Sequence, residues 1–192
     1  MPFTTAAKNS MLDHLGTEIT YAGLLTAGTP QTGVTGVAAT NVLTKATHGL
    51  VNGDLVVITS LTGGTGLRTN YPYYAVSVSG NDFKLSETSG GAEFDFTSTI
   101  TDATIVELTE VTGGSPAYAR KAIAWGAAAL GLMDDSTNGA AFDCPAGAVV
   151  NYTGYFSAIT SGTCYAIDDV TQETFTGQGT YTNTDSKLDL NT

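Results

Sequence analysis

The sequence predicts an all-β fold: a β-sandwich, jelly-roll-like or immunoglobulin-like, with a short N-terminal helix and a small barrel-like β domain inserted in one loop. Three observations support this prediction. Charged residues make up only 13% of the chain, while 23 glycines and frequent threonines suit pleated strands joined by tight turns. From Ile19 onward, short apolar or alternating runs are separated by turn residues. Only the N-terminus shows helical spacing.

The N-terminal segment is expected to form this one helix. Thr4 or Thr5 can cap its start, and Gly16 is expected to end it. Apolar residues recur between them at helical spacing: Ala7, Met11, Leu12 and Leu15. We therefore expect the helix to lie between these two points, with strands after it.

Strands are predicted from stretches of alternating or continuous apolar residues: ITYAGLLTA, LVVITSL, YYAVSVS, FKLSE, AVVNYTGYFSAI, TCYAIDDV and TYTNTDSKLDL. The run KAIAWGAAALGLM is ambiguous because its alanines favour a helix. Gly126 and Gly131 each weaken a helix by about 1 kcal/mol. We expect a strand through about Ala127 and a loop after it.

Residues 35–106 form a self-contained stretch with several candidate strands and most of the Gly-Gly and Asn-Gly turns. The flanking segments TPQTG and ELTEVTGGSPAY resemble two ends of one interrupted loop. Because insertions into surface loops cost little closure entropy, we interpret 35–106 as an inserted small β domain. The remaining residues, 1–34 and 107–192, form the discontinuous sandwich.

The charge balance excludes several classes of partner. Seven basic residues stand against eighteen acidic ones, a net charge of −11, which disfavours binding to nucleic acid or anionic membranes. The N-terminus lacks a signal-peptide pattern, and no apolar run is long enough to span a bilayer. We therefore expect synthesis in the cytoplasm. Cys144 and Cys164 are expected to be buried thiols, although a bridge between neighbouring strands is an alternative.

No catalytic, metal or cofactor site is predicted. Gly63 to Gly66 lacks the Gly-Lys-Ser/Thr of a phosphate loop and is interpreted as a turn. The segment from Asp134 to Gly139 resembles half of a calcium loop, but Pro145 occupies the twelfth position, so an Asx turn is favoured.

The titratable side chains also lack a catalytic arrangement. His14 and His48 are expected to have structural roles, with a ring nitrogen of His48 bonding a nearby backbone group. Asp168 and Asp169 would point to opposite faces of a strand and are interpreted, with Glu173, as an exposed acidic turn.

Two groups of residues remain as binding or interface candidates. Tyr71, Tyr73 and Tyr74, or alternatively Tyr152 and Tyr155, could form an aromatic platform for a sugar ring or a partner protein. The stretch VTGGSPAYARKAIAW, residues 111–125, holds two of the basic residues and the only tryptophan. We expect Tyr118 and Trp125 to be buried against the opposing sheet. Arg120 is expected to contact an acidic residue, and Lys121 can also find an acidic partner, within the fold or on another subunit. A solvated Arg-Lys pair is the alternative.

This stretch, with AFDCPAGAVVNYTGYFSAITSGTCYAIDDV and ETFTGQGTYTNTDSKLDLN, resembles a family of small virion proteins of tailed bacteriophages, described as tail-fibre-like or minor tail proteins. The likeness covers about residues 1–33 and 107–192. Family members join these parts by a brief loop, so the seventy-residue insert departs from the pattern. The insert, with THGLVNGDLVVITSL, resembles small β modules of phage tail proteins.

The resemblance implies a non-enzymatic structural protein on the virion exterior, attached to the tail or decorating the capsid and assembled in the host bacterial cytoplasm. Its expected partners are other virion proteins and further copies of itself, with a trimer favoured. The alternative is an adsorption module that binds a host surface glycan or receptor. A hydrolase is disfavoured because no acid/base pair can be placed in one cleft.

Overall fold

One helix, α1 (Thr5–Glu18), opens the fold in the computed structural model, which describes residues 3–136, 139–184 and 186–191. Thr4 is the N-cap, and its hydroxyl accepts a hydrogen bond from the Ala7 amide at 3.3 Å. The prediction that Gly16 ends the helix is wrong, because α1 continues to Glu18. A Cβ at Gly16 would lie 2.8 Å from Cε of Met133, so this glycine allows the helix to pack closely. No helix within the described ranges is long and apolar enough to cross a bilayer.

Strands account for the rest of the regular structure, which confirms the all-β prediction. In chain order they are β1 (Tyr21–Ala27), β2 (Gln31–Val37), β3 (Val42–Thr44), β4 (Leu55–Gly63), β5 (Pro72–Ser79), β6 (Asp82–Ser86), β7 (Ile100–Glu110), β8 (Lys121–Ala122), β9 (Leu132–Asp134), β10 (Ala140–Cys144), β11 (Val149–Phe156), β12 (Cys164–Thr174), β13 (Gly179–Asn183) and β14 (Lys187–Asp189). The predicted strand TYTNTDSKLDL is therefore two strands, β13 and β14, which pair with different partners.

Six strands close into a barrel in the order β7–β2–β3–β6–β5–β4, and β4 pairs back to β7. All six pairings are antiparallel. Side chains alternate across the barrel wall because successive residues of a strand point to opposite faces. On β4, Val56 and Ile58 lie in the barrel interior, while Leu55 and Val57 pack on its outside. The strands of the barrel extend from Gln31 to Glu110, slightly beyond the predicted insert.

Strand β7 also belongs to a larger sheet. Its C-terminal end pairs with β1, with Leu25 opposite Glu110 and Ala27 opposite Leu108. The other edge of β1 pairs with β11, and β11 pairs with β12. The barrel and this sheet are therefore one continuous hydrogen-bonded surface that meets at β7.

A second hydrophobic core, the outer core, lies between this sheet, α1 and two short ribbons. The ribbons are β10–β13 and β9–β14. The buried members of the outer core are Leu12, Ile19, Ala22, Leu24, Val111, Ile123, Met133, Ala140, Phe142, Cys144, Val150, Tyr155, Phe175 and Leu188. Within the described residues the two ribbons do not join into one opposing sheet. The predicted sandwich is therefore not confirmed.

The ambiguous run KAIAWGAAALGLM forms much less strand than predicted. Only Lys121 and Ala122 pair with β1, and Trp125 makes a single isolated bridge with Asp135. The reason is the register: Ala122 lies opposite Tyr21, the first residue of β1, so a strand continuing towards Ala127 would run past the start of β1 to the end of α1, where there is no strand edge to pair with. The chain leaves the sheet here and next forms β9, which pairs with β14 in a separate ribbon.

Candidate functional site

Arg120 lies where the barrel, β1 and the loop between β11 and β12 meet. Its side chain is only 7% exposed. Nε and Nη2 donate to the two carboxylate oxygens of Glu110 at 2.8 and 2.7 Å. Nη1 donates to the backbone carbonyls of Ala158 and Ser161 at 2.7 and 2.6 Å. This planar, two-pronged pairing is the geometry for which arginine differs from lysine.

The guanidinium of Arg120 also lies over the ring of Phe156, with Cζ 3.5 Å from the ring centroid. A cation over an aromatic face is stabilised further when both are removed from water. Because Glu110 ends β7 and Phe156 ends β11, the arginine connects the two strands that flank β1. The expected acidic neighbour of Arg120 is thus Glu110, and the solvated alternative is wrong for this residue.

Tyr118 completes this polar cluster. Its hydroxyl accepts a hydrogen bond from the Leu24 amide at 2.7 Å and donates to Oε1 of Glu110 at 3.2 Å. Burial and the negative charge of Glu110 raise the pKa of Tyr118, so the phenol keeps its proton at neutral pH. The ring stacks on Phe142 at a centroid distance of 6.2 Å. Tyr118 therefore fastens the segment after the Gly-Gly-Ser-Pro turn to both β1 and the outer core.

A third core, the junction core, lies between the outer face of the barrel and the β11–β12 hairpin. Its buried members are Leu25, Leu55, Val57, Tyr74, Val106, Leu108, Tyr152, Phe156 and Cys164. The hydroxyl of Tyr74 accepts a hydrogen bond from the Cys164 amide at 2.6 Å and donates to the Gly162 carbonyl at 3.5 Å. Burial raises the pKa of Tyr74 to about 12. Tyr74 thereby joins the barrel to the loop that Arg120 also holds.

The two cysteines lie in different cores. Cys144 belongs to the outer core and Cys164 to the junction core, and both are free buried thiols. Burial raises the pKa of the Cys164 thiol to about 12, so this sulfur is protonated at neutral pH and is a poor nucleophile. Both residues therefore contribute packing.

A cleft of about 360 Å³ opens between the barrel and the sheet beside Arg120. Its apolar lining includes Leu55, Tyr74 and Phe156, and its acidic lining includes Asp54 and Glu107. Burial, together with the charge of Asp54, raises the pKa of Glu107. Because Glu110 already neutralises Arg120, the charge presented by the cleft is negative.

Lys121 and Trp125 lie on the other side of the cluster. Nζ of Lys121 is 3.5 Å from Oδ2 of Asp143, and both side chains are about one third exposed. Such a surface pair contributes little to stability. Trp125 is half-buried: Nε1 donates to the Ile19 carbonyl at 2.7 Å, and the ring packs 6.1 Å from Tyr155. The predicted burial of Trp125 is therefore only partial.

Neither group of tyrosines forms an exposed platform, which corrects the platform hypothesis, and Tyr152 is buried in the junction core. Tyr73 is in the barrel interior, Tyr74 in the junction core and Tyr155 in the outer core, each no more than 5% exposed. Tyr71 is half-buried and packs 5.0 Å from Tyr73. Successive side chains of a strand alternate between its two faces, and this would expose half of the rings if one face were in solvent. Here both faces pack against other parts of the fold, so both sets of rings are covered.

Other predicted sites also take structural positions. Asp168 and Asp169 lie within β12 rather than in a turn, and Oδ2 of Asp168 accepts a hydrogen bond from the Tyr155 hydroxyl at 2.6 Å. Nδ1 of His48 accepts one from the Leu50 amide at 2.9 Å, as expected. Within residues 3–136, 139–184 and 186–191 no group of three or more His, Cys, Asp or Glu could hold a metal ion. Thr137 and Asn138, in the calcium-like segment, lie outside the described residues.

Sequence reasoning missed Glu110 and singled out Tyr74 for the wrong role. A signal for Glu110 was present: it ends a long alternating strand, and Arg120 follows across the Gly-Gly-Ser-Pro turn. No local signal identifies Tyr74, because its partner Cys164 is distant in sequence. Comparisons with known proteins found no matching family model, no matching curated protein and no matching solved structure.

Proposed function

We propose that this chain is a non-enzymatic structural protein on the exterior of a tailed-phage particle, either tail-associated as a minor tail or fibre-like protein, or capsid-decorating. The observation that carries the proposal is that the hydrogen-bonding groups of Arg120 are taken up by contacts within the fold. Its guanidinium makes four hydrogen bonds, to the carboxylate of Glu110 and to the backbone carbonyls of Ala158 and Ser161. Its polar groups stabilise the fold and leave little capacity to act on a substrate.

The connection between the barrel and the sheet is suited to a structural component that must be rigid. Arg120, Tyr118 and Tyr74 join the barrel, β1 and the β11–β12 loop by buried hydrogen bonds. The net charge of −11 favours solubility and limits non-specific association during assembly. The resemblance of the flanking parts to phage tail proteins supplies the location, other virion proteins as partners, and a homo-oligomer, with a trimer favoured.

The domain division belongs to the same proposal. Residues 35–106 are an inserted β domain, and 1–34 with 107–192 form an outer sandwich-like scaffold. This division is supported by the barrel interior, whose buried residues all fall between Val34 and Ile105. An insertion carried on a scaffold usually projects from it, so the barrel is the part that faces outward.

No observation on the described residues favours the alternative of an adsorption module that binds a host glycan or receptor. The tyrosines that would stack on a sugar ring are covered by the fold. A glycan site would need a different set of exposed aromatic side chains.

Copy counting in purified particles tests the proposal. A tagged version of the protein is expected to co-purify with intact particles and to resist washing at high salt. A large copy number per particle would indicate capsid decoration, and a few copies would indicate tail attachment. Absence of the protein from particles that otherwise assemble would overturn the proposal.

A further inference from the structure

Leu130 combines two unfavourable properties. It is the most exposed of the large apolar side chains described, at 79%. Its φ is +54°, a value that bulky residues rarely adopt, and φ of Gly131 is +78°. Ala129 and Leu132 exchange two backbone hydrogen bonds across this turn, at 2.8 and 3.0 Å. A two-residue turn with positive φ at both positions strongly favours Asn-Gly, so leucine is costly here both in conformation and in exposure.

The turn is nevertheless held rigidly. The Gly131 amide donates to Oδ1 of Asn9 on α1 at 2.8 Å. The Gly131 carbonyl accepts from the Leu190 amide at 3.0 Å, and the Leu130 carbonyl accepts from Nδ2 of Asn191 at 3.0 Å. The leucine side chain is thus presented to solvent from a fixed backbone. Pre-organisation of this kind lowers the entropy lost on binding.

An apolar groove of about 540 Å³ lies directly beside this turn. Its lining includes Ala127, Ala129 and Leu132, whose small or apolar side chains leave room for a leucine. Leu130 is itself one of the lining residues. One surface therefore carries both a projecting apolar side chain and a recess of suitable chemistry.

The charges beside the two features are opposite. Lys8 lies next to the turn, where its Cδ would be 3.0 Å from a Cβ at Gly131, and its Nζ donates to Asn191 at 2.9 Å. Asp134 is exposed and lines the groove. Neither forms a salt bridge among the described residues. A second copy would bring a lysine with the leucine and meet an aspartate at the groove.

We propose that Leu130 of one copy inserts into the groove lined by Ala127, Ala129 and Leu132 of a second copy, with Lys8 facing Asp134 across the contact. This inference rests on the homo-oligomer in the proposed function and assigns its interface. The occupant is a copy of this chain, because the leucine and its receptor groove, and the cation and its anion, are all present on one surface. A contact in which each copy supplies what the other receives is isologous and closes as a two-fold dimer, the commonest homo-oligomer, so this contact would take the place of the trimer favoured from the resemblance.

The variant Leu130→Asn tests the contact without endangering the fold. Asparagine suits the positive φ of this position, so the melting temperature of the dissociated chain is expected to stay the same or rise. Self-association, measured by sedimentation equilibrium, is expected to weaken by roughly tenfold or more, as for a central anchor residue. Val51→Asn is the matched control, since Val51 is also exposed, at 61%, but lies in the barrel region. It should leave association unchanged.

A charge exchange adds a second readout. Lys8→Glu and Asp134→Lys should each weaken association, and the double variant should restore it. Association of Leu130→Asn equal to that of the wild type, or a wild-type chain that stays monomeric at every concentration, would overturn the inference. A monomeric wild type that is still found on purified particles would leave the proposed function standing, whereas its absence from them would refute that function separately.

Discussion

The barrel and the outer part of the molecule bury their side chains in different ways. Buried residues of the barrel interior all come from one stretch between Val34 and Ile105 and from strands whose pairing closes on itself. The outer core draws on residues from Leu12 to Leu188, on both sides of that stretch. The barrel can therefore form from local sequence, while the outer core forms only when the two ends of the chain meet.

Polar side chains follow the same division. The barrel interior is mostly apolar, although His48 packs beside Phe83 and the Tyr73 hydroxyl accepts a hydrogen bond from the Arg68 amide, and its strands are held by antiparallel pairing. At the junction, irregular segments are fastened by Arg120, Tyr118 and Tyr74. Buried hydrogen bonds replace strand pairing where the chain has no free sheet edge to join.

The largest expected effect follows from removing the barrel. Replacement of 35–106 by a short Gly-Ser linker should leave the outer part folded, because its core uses other residues. The junction core loses four members, Leu55, Val57, Tyr74 and Val106, which should lower the stability of the outer part by about 5 kcal/mol, from the apolar area re-exposed. Calorimetry of the shortened chain and of the isolated 35–106 fragment checks this. Absence of a cooperative transition in both would refute the domain division.

A pair of phenylalanines compares the two cores directly. Phe83 lies in the barrel interior and Phe142 in the outer core, and both are fully buried. Each change to Ala should cost about 3–5 kcal/mol. If the cores are independent, the barrel of the Phe83→Ala variant should melt at a lower temperature than the rest of the molecule. This separate transition can be monitored by the signals of the tyrosines in the barrel. Identical single transitions in both variants would show one cooperative unit.

Arg120→Met should cost about 3 kcal/mol, because it leaves Glu110 without its partner in a mostly buried position. The value is at the low end for a buried pair because the Glu110 side chain is 29% exposed and water can solvate it. The double variant Arg120→Met with Glu110→Gln should recover part of the loss. Urea denaturation of all three measures the coupling, and a cost below about 1 kcal/mol would mark a weak surface pair.

The smallest expected effect concerns Glu107. Burial and the charge of Asp54 raise its pKa, so the folded state holds this proton more strongly than the unfolded state. Its contribution to stability is therefore greatest below the ordinary glutamate pKa and declines as pH rises through the ordinary and then the raised value. Glu107→Gln should increase Tm by less than about 2 °C at neutral pH and not at all in acid. Asp102→Asn, an exposed carboxylate on the same strand, is the control.

Much of the strand content could be predicted from sequence, because period-two alternation reports directly on strands. The runs LVVITSL and YYAVSVS show why the sequence could not predict which core each face of a strand packs against. Leu55 and Val57 face one core while Val56 and Ile58 face another, and the second core exists only because β11 and β12 pack against the barrel. Whether both faces of a strand are buried depends on segments distant in the sequence, so no local pattern can predict it.

The candidate site shows the same limit. That Arg120 would find an acidic partner followed from composition, but Glu110 as that partner depends on the pairing of β7 with β1. The strand predicted for AIAW failed for a related reason, since whether a strand forms there depends on how far β1 extends beside it, and β1 begins at Tyr21, opposite Ala122. Neither condition can be found by inspecting the segment alone.

Strand β7 has a consequence for the exchange of amide hydrogens with solvent. Ala103 and Ile105 lie opposite partners on β2 along one edge of β7 and on β4 along the other. Because both edges of this part of β7 are covered by barrel strands, the amides of Ala103 and Ile105 can exchange only when the barrel opens. They should be among the slowest in the molecule and should report the free energy of barrel opening, while amides of α1 exchange by local fraying.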